Sequence, residues 1–192
     1  MDRNRDLFWK LVEPEHLRAR AYCRKLTGNR DDGNDLYQDA LVRALTGFSG
    51  LRRVEHFRPW LYRIIINTFK NRIKQPWWKR LTPLTPEIAE TVAGDNPVPR
   101  RAARRRLEIA FRTVSPGDRA LVTLFELEGW TIDEIAGVTG KSNGNIRVRL
   151  HRARGKMRRA LIRYFKQPGS EKTPNPLQSK DKVCVVQKPV ED

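Results

Sequence analysis

The chain has 192 residues, and its 39 Lys and Arg against 22 Asp and Glu leave a formal net charge of +17 at pH 7. That length suits one or two small globular units and not a large catalytic core, and the charge favours a polyanionic partner, nucleic acid or an anionic membrane surface. Membrane insertion is not expected, because Ile64-Ile65-Ile66, the longest apolar run near a helix centre, is far short of the roughly 20 residues a span needs.

The opening MDRNRDLFWK carries charges without an apolar segment, so no secretory leader is expected. Over residues 7–74 apolar positions recur at helical spacing, with breaks expected within 27–34 and near FSGLRRVEH. Cys23 falls in this pattern as a small buried hydrophobe. Cys184 is the only other cysteine, too little for a disulfide framework or a Cys-rich zinc site, and a reducing cytoplasm is the expected compartment.

A helix is expected over about 59–74. Leu61, Ile64, Ile65, Thr68, Phe69 and Arg72 share one of its faces, while Arg63, Asn67, Lys70, Asn71 and Lys74 share another. Phe57, Trp60 and Tyr62 cluster beside Arg58 at its entrance. Two readings fit at this point. One is a core helix with a solvated back. The other is a surface for single-stranded nucleic acid, where bases stack on rings for roughly 1–3 kcal/mol each while Arg and Lys hold the backbone.

Residues 76–103 are rich in Pro and Thr and lack a sustained period, as a linker does. Its Trp77 and Trp78 could pack on the first domain or on a partner. Arg100, Arg101, Arg104, Arg105 and Arg106 suit either a solvated helix start or contact with an acidic or nucleic-acid surface.

Helical periodicity over 104–166 contains the clearest unit. Thr131 and Glu134 have capping-box spacing. Ile135, Ala136 and Val138 offer an apolar face, Gly140 supplies a tight turn and Ser142 an N-cap. In the next helix Ile146, Leu150, Ala153, Met157 and Leu161 form one stripe, and Arg and Lys fill the other directions. A solvated basic helix is the plain reading of such a charge run. Cap, turn glycine and arginine density together favour a helix-turn-helix, which lays its second helix in the major groove. Residues 167–192 are polar and proline-broken, so a disordered tail is expected, with VCVVQ as a possible short strand.

Taken in order, DLYQDALVRAL (35–45), FRPWLYRIIINTFKNRIK (57–74) and GNIRVRLHRARGKMRRAL (144–161) resemble the extracytoplasmic-function (ECF) subfamily of bacterial sigma-70 factors. The resemblance covers about 7–74 and 107–161 through the motifs D-L-x-Q-[DE], W-L-Y-R-I-x-x-N and G-x-[IV]-[RK]-x-R-x-x-R-A-R. It implies an all-α fold of two small helical domains on a flexible linker: region 2 at 1–75, linker at 76–103, region 4 at 104–166 and tail at 167–192.

The resemblance also implies roles. Asp35, Leu36, Gln38 and Asp39 would dock on the β′ clamp helices of core RNA polymerase, with Asp39 standing where Glu is more usual. Helix capping and solvation is the other reading of these acids. Phe57, Arg58, Arg63, Asn67, Lys70 and Asn71 would meet the minus-ten element, Asn67 helping to read a flipped base, with Trp60 at a helix–helix junction. Arg147, Arg149, His151, Arg152 and Arg154 would face the minus-thirty-five duplex, some touching phosphate only. Further implied partners are the β flap and an anti-sigma factor. No cofactor is implied.

Melting by binding energy fits the absence of an ATP-binding loop motif, since unstacking costs a few kcal/mol per step. Fully extended, residues 75–103 reach at most about 100 Å, enough to bridge promoter elements about 70 Å apart. An enzyme is disfavoured, because His16, His56 and His151 show no ligand spacing and no phosphate loop or nucleophile elbow is visible. A helix-turn-helix regulator that never joins polymerase is the alternative, and the N-terminal motifs speak against it.

Overall fold

Local capping chemistry sets where these helices start and stop. The structure, a computed structural model, describes residues 2–75 and 97–166. Helix α1 (Asp2–Val12) passes through the one-turn 3-10 segment Glu13–Glu15 into α2 (His16–Thr27). Gly28 ends α2 in the left-handed region at φ 77°, its N–H donating to the Arg24 carbonyl. The Asn29 side chain then accepts from the Asp31 amide at 2.8 Å and starts α3 (Arg30–Gly47). The break expected across 27–34 is thus confined to Gly28 and Asn29, and Gly33 lies inside α3.

Gly33 is what lets α2 and α3 pack closely. A Cβ there would sit 2.5 Å from the Arg24 Cα, so only glycine admits this approach. Two 3-10 turns, Phe48–Gly50 and Val54–His56, lead into α4 (Phe57–Lys74). Pro59 falls in the first turn of α4, where a missing N–H leaves no hydrogen bond unmade.

Phe8, Tyr22, Leu26, Leu36, Leu61, Tyr62, Ile65 and Phe69 form the centre of this half, each under 2% exposed. Fully burying such side chains contributes about 1.5–3 kcal/mol apiece. Phe57 closes one end, its ring 6.0 Å from Phe8, 6.2 Å from Phe48 and 5.9 Å from Trp60. Burial holds the Cys23 thiol protonated, well above its ordinary value.

The second group comprises α5 (Pro97–Phe111), α6 (Pro116–Val122), a π-turn continuing it over Thr123–Leu127, α7 (Ile132–Thr139) and α8 (Asn143–Lys166). Helix α5 corrects the expected linker boundary, since 97–103 are helical. Pro97 and Pro99 hid this start, yet proline is tolerated in a first helical turn. Ser115 caps α6, accepting from the Asp118 amide at 3.1 Å. No strand occurs among the described residues, and the fold is all-α in two helical groups. Residues 76–96 and 167–192, with Trp77, Trp78 and VCVVQ, lie outside the described residues.

The two groups pack on each other. Tyr22 donates its hydroxyl to the Ala120 carbonyl at 3.2 Å, and Lys25 pairs with Glu128 at 2.8 Å. Tyr62 meets Trp130 with centroids 4.6 Å apart, and the Arg58 guanidinium lies 4.4 Å over that same indole. Arg119 lies between Phe111 and Phe69 at the seam, 4.6 and 5.9 Å from their ring centres. Burial pulls its guanidinium down to about 10.

Candidate nucleic-acid interface

The α7–α8 unit is built from its caps outward. Thr131 Oγ1 accepts from the Glu134 amide at 3.2 Å, and Glu134 Oε2 accepts from the Thr131 amide at 2.8 Å. That reciprocal pair satisfies two donors at the start of α7 and holds the Glu134 carboxyl below its usual range. Gly140 makes the turn at φ 66°, and Ser142 Oγ accepts from the Asn145 amide at 3.3 Å. Asn143 reaches back to the Asp133 carboxylate, which fixes the angle between the helices.

On α8, Ile146, Leu150 and Ala153 are buried at 0, 3 and 2% exposure. Arg147, His151 and Arg152 project to solvent on the opposite side, with no side-chain hydrogen bond or ion pair among the described residues. Two of the five expected duplex contacts are held differently. Arg149 is half-buried and grips Asp118 at 2.6 and 2.7 Å. Arg154 pairs with Glu126 at 2.6 Å and covers Phe125. Their acidic partners lie on α6 and the π-turn, too far along the chain for spacing to reveal.

Helix α4 presents Arg63, Asn67 and Asn71 on its exposed side, with Lys70 half-buried. Here α7 comes down on it. Arg63 donates through Nε to the Val138 carbonyl and through Nη2 to the Gly137 carbonyl, both at 2.7 Å. It therefore caps the last turn of α7, where unpaired carbonyls and the helix dipole favour a cation. A cavity of about 170 Å³ remains between Arg63, Asn67 and Lys70 on one wall and Val138, Thr139 and Gly140 on the other.

Two expected contact residues are corrected. Phe57 is 3% exposed within the aromatic cluster, and Leu36 is wholly buried on the inner side of α3. Their rings and methyls stabilise the core and offer nothing to a base or a partner in this arrangement. Arg58 also serves the fold here, stacking on Trp130 and lying 3.6 Å from Glu15 and 3.8 Å from Glu134.

The outer face of α3 keeps Asp35 and Gln38 exposed and Asp39 partly so. Arg72 of α4 holds the Asp39 carboxylate, at 2.9 Å from Nε and 2.7 Å from Nη2. Val42, 65% exposed, completes this face. Sequence reasoning passed it over, although its spacing from Asp35, Gln38 and Asp39 puts it on the same side of the helix. Trp130 was also missed, because its role depends on contacts with the first helical group.

Among the described residues no helix is long and apolar enough to cross a membrane. The family profile for sigma-70 region 2 matches residues 11–79, and that for sigma-70 region 4 matches residues 104–157. The chain is 31% identical over 134 residues to the ECF RNA polymerase sigma-E factor of Escherichia coli, a match covering 64% of this chain and 70% of that protein. It is 28% identical over 165 residues to the ECF RNA polymerase sigma factor SigE of Mycolicibacterium smegmatis, covering 81% of this chain and 62% of that one. Against SigG of Mycobacterium tuberculosis the match covers 49% of the relative, so the chain spans about half to two thirds of these longer proteins. In fold it is similar to the sigma factor RpoE of Bartonella quintana, solved with the anti-sigma factor NepR. The TM-score is 0.61 at 20% identity, over 81% of this chain and 96% of that one.

A helical chain carrying sigma-70 regions 2 and 4 in that order defines the class. The chain belongs to the ECF branch of the sigma-70 family.

Proposed function

We propose that this chain is a sigma subunit, which binds core RNA polymerase and directs it to open promoters. Asp35, Gln38, Asp39 and Val42 form the docking face for the polymerase β′ clamp helices. Arg63, Asn67, Lys70 and Asn71 engage the melted minus-ten strand. Arg147, His151 and Arg152 read the minus-thirty-five duplex, with Arg149 and Arg154 available once released from Asp118 and Glu126. Domain one spans 1–75, and the second domain spans 97–166 and so takes in α5. The chain performs no chemistry of its own and acts in the cytoplasm, under an anti-sigma factor that covers its polymerase-binding surfaces.

The observation that carries this reading is the outer face of α3. Two carboxylates, an amide and a bare valine share one exposed strip whose inner side is fully packed. A regulator working without polymerase has no use for it. The closed packing also has a consequence. Promoter elements two helical turns apart are separated by about 70 Å, so α7 must leave α4 before both can bind.

Retention of core polymerase by the tagged full-length chain tests the proposal. The wild type retains core enzyme, and the double variant Asp35→Lys, Val42→Glu loses it by about tenfold or more, as for charge reversal at a packed interface. Equal retention by both would exclude α3 as the docking face.

A further inference from the structure

Helix α8 carries its positive charge past the helix-turn-helix. The match to sigma-70 region 4 ends at residue 157, while α8 runs on to Lys166. Arg152, Lys156, Arg159, Arg163 and Lys166 are all exposed, and their alternating four- and three-residue spacing puts them in one row along the helix. No acidic residue occurs in α8. Asp118 and Glu126 are held by Arg149 and Arg154, outside this row. None of the five has an ion pair or side-chain hydrogen bond among the described residues.

Without a partner such a row is unfavourable, because like charges three and four residues apart repel along a helix. The segment is nevertheless held in place. Leu161 and Phe165 are half-buried, and the Arg106 guanidinium of α5 lies 5.2 Å over the Phe165 ring. With its apolar side used in this packing, the far half of α8 has no apolar face left to enter a lipid surface. From Arg152 to Lys166 the row runs about 21 Å, the rise of about six base pairs on a strand with one phosphate per about 3.4 Å. The 24 residues of α8 make a rod about 36 Å long against a major groove about 12 Å wide. With its first turns on base edges, its far half therefore leaves the groove and passes over the phosphate wall.

We propose that residues 156–166 of α8 form a phosphate-binding ridge, which grips the duplex beside the minus-thirty-five element and adds sequence-independent affinity to the base contacts nearer the helix start. The inference rests on the reading of α8 as the duplex-binding helix and extends it to residues beyond the region 4 match. Each Lys or Arg that neutralises a phosphate releases condensed counterions, so the ridge sets how steeply binding weakens with salt. It fixes position on the duplex and carries no sequence preference.

The test uses the full-length chain without polymerase and a random-sequence duplex about three helical turns long. The logarithm of the association constant is followed against that of the sodium chloride concentration. The triple variant Arg159→Gln, Arg163→Gln, Lys166→Gln keeps good helix formers throughout. It is expected to flatten the slope by about 2–3 units, at about 0.9 per phosphate, and to do so equally on a second, unrelated duplex. Arg3→Gln, Arg5→Gln, Lys10→Gln removes the same charge from exposed positions of α1 and leaves the slope unchanged. An unaltered slope in the α8 variant, or an equal loss in the α1 variant, would overturn the proposal. Reduced retention of core polymerase with the slope intact would assign the ridge to an acidic protein surface and overturn it equally. A chain that retains no polymerase yet shows the ridge-dependent slope would remove the sigma-subunit reading and leave this one standing.

Discussion

At Gly33 an alanine would gain about 1 kcal/mol of helix propensity, yet its Cβ would lie 2.5 Å from a backbone atom of α2. Overpacking costs typically about 1–3 kcal/mol, and an overlap this deep with backbone takes the upper end. Gly33→Ala is thus expected to lower stability by about 1–2 kcal/mol, lowering Tm by about 3 °C or more. A Tm equal to or above wild type would show that α2 and α3 separate without penalty. Gly33 follows two aspartates and resembles loop punctuation, so its value as a close-approach residue was not legible without α2 in place. Leu36 and Phe57 teach the complementary lesson. A motif places a residue on an element, but which side of the element meets the core depends on packing, and both side chains point inward.

Among the elements, α7 and α8 were legible almost residue by residue, because caps are local chemistry. Thr131, Glu134, Gly140 and Ser142 do what their spacing requires. Removing the cap by Thr131→Ala should cost about 1 kcal/mol, read as an earlier denaturation midpoint with unchanged slope. The pH dependence has a definite sign. Glu134 has its carboxyl depressed in the folded state by the Thr131 amide. Its contribution is therefore present above the unfolded glutamate value and is lost as pH falls through the folded one. Wild type and Glu134→Gln should converge in stability as the solution is acidified, and a constant gap would contradict the cap. The start of α5 was less legible, since Pro97 and Pro99 punctuate a linker as readily as they open a helix.

At the scale of the molecule, the packing of the two halves was not visible in the sequence at all. Arg63 on the Val138 carbonyl and Arg58 on Trp130 join residues more than seventy positions apart, and no periodicity encodes such pairs. What composition did carry is the polyanion partner. Thirty-nine basic side chains against 22 acidic ones leave the excess of positive charge that suits such a partner. The most direct measurement is run-off transcription by purified core polymerase on a randomised promoter library, with and without the full-length chain. Adding the chain should create new start sites with defined minus-ten and minus-thirty-five elements. Asn67→Ala should change the downstream preference and Arg147→Ala the upstream one, by about tenfold for a bidentate base contact. Start sites identical with and without the chain would contradict the central claim.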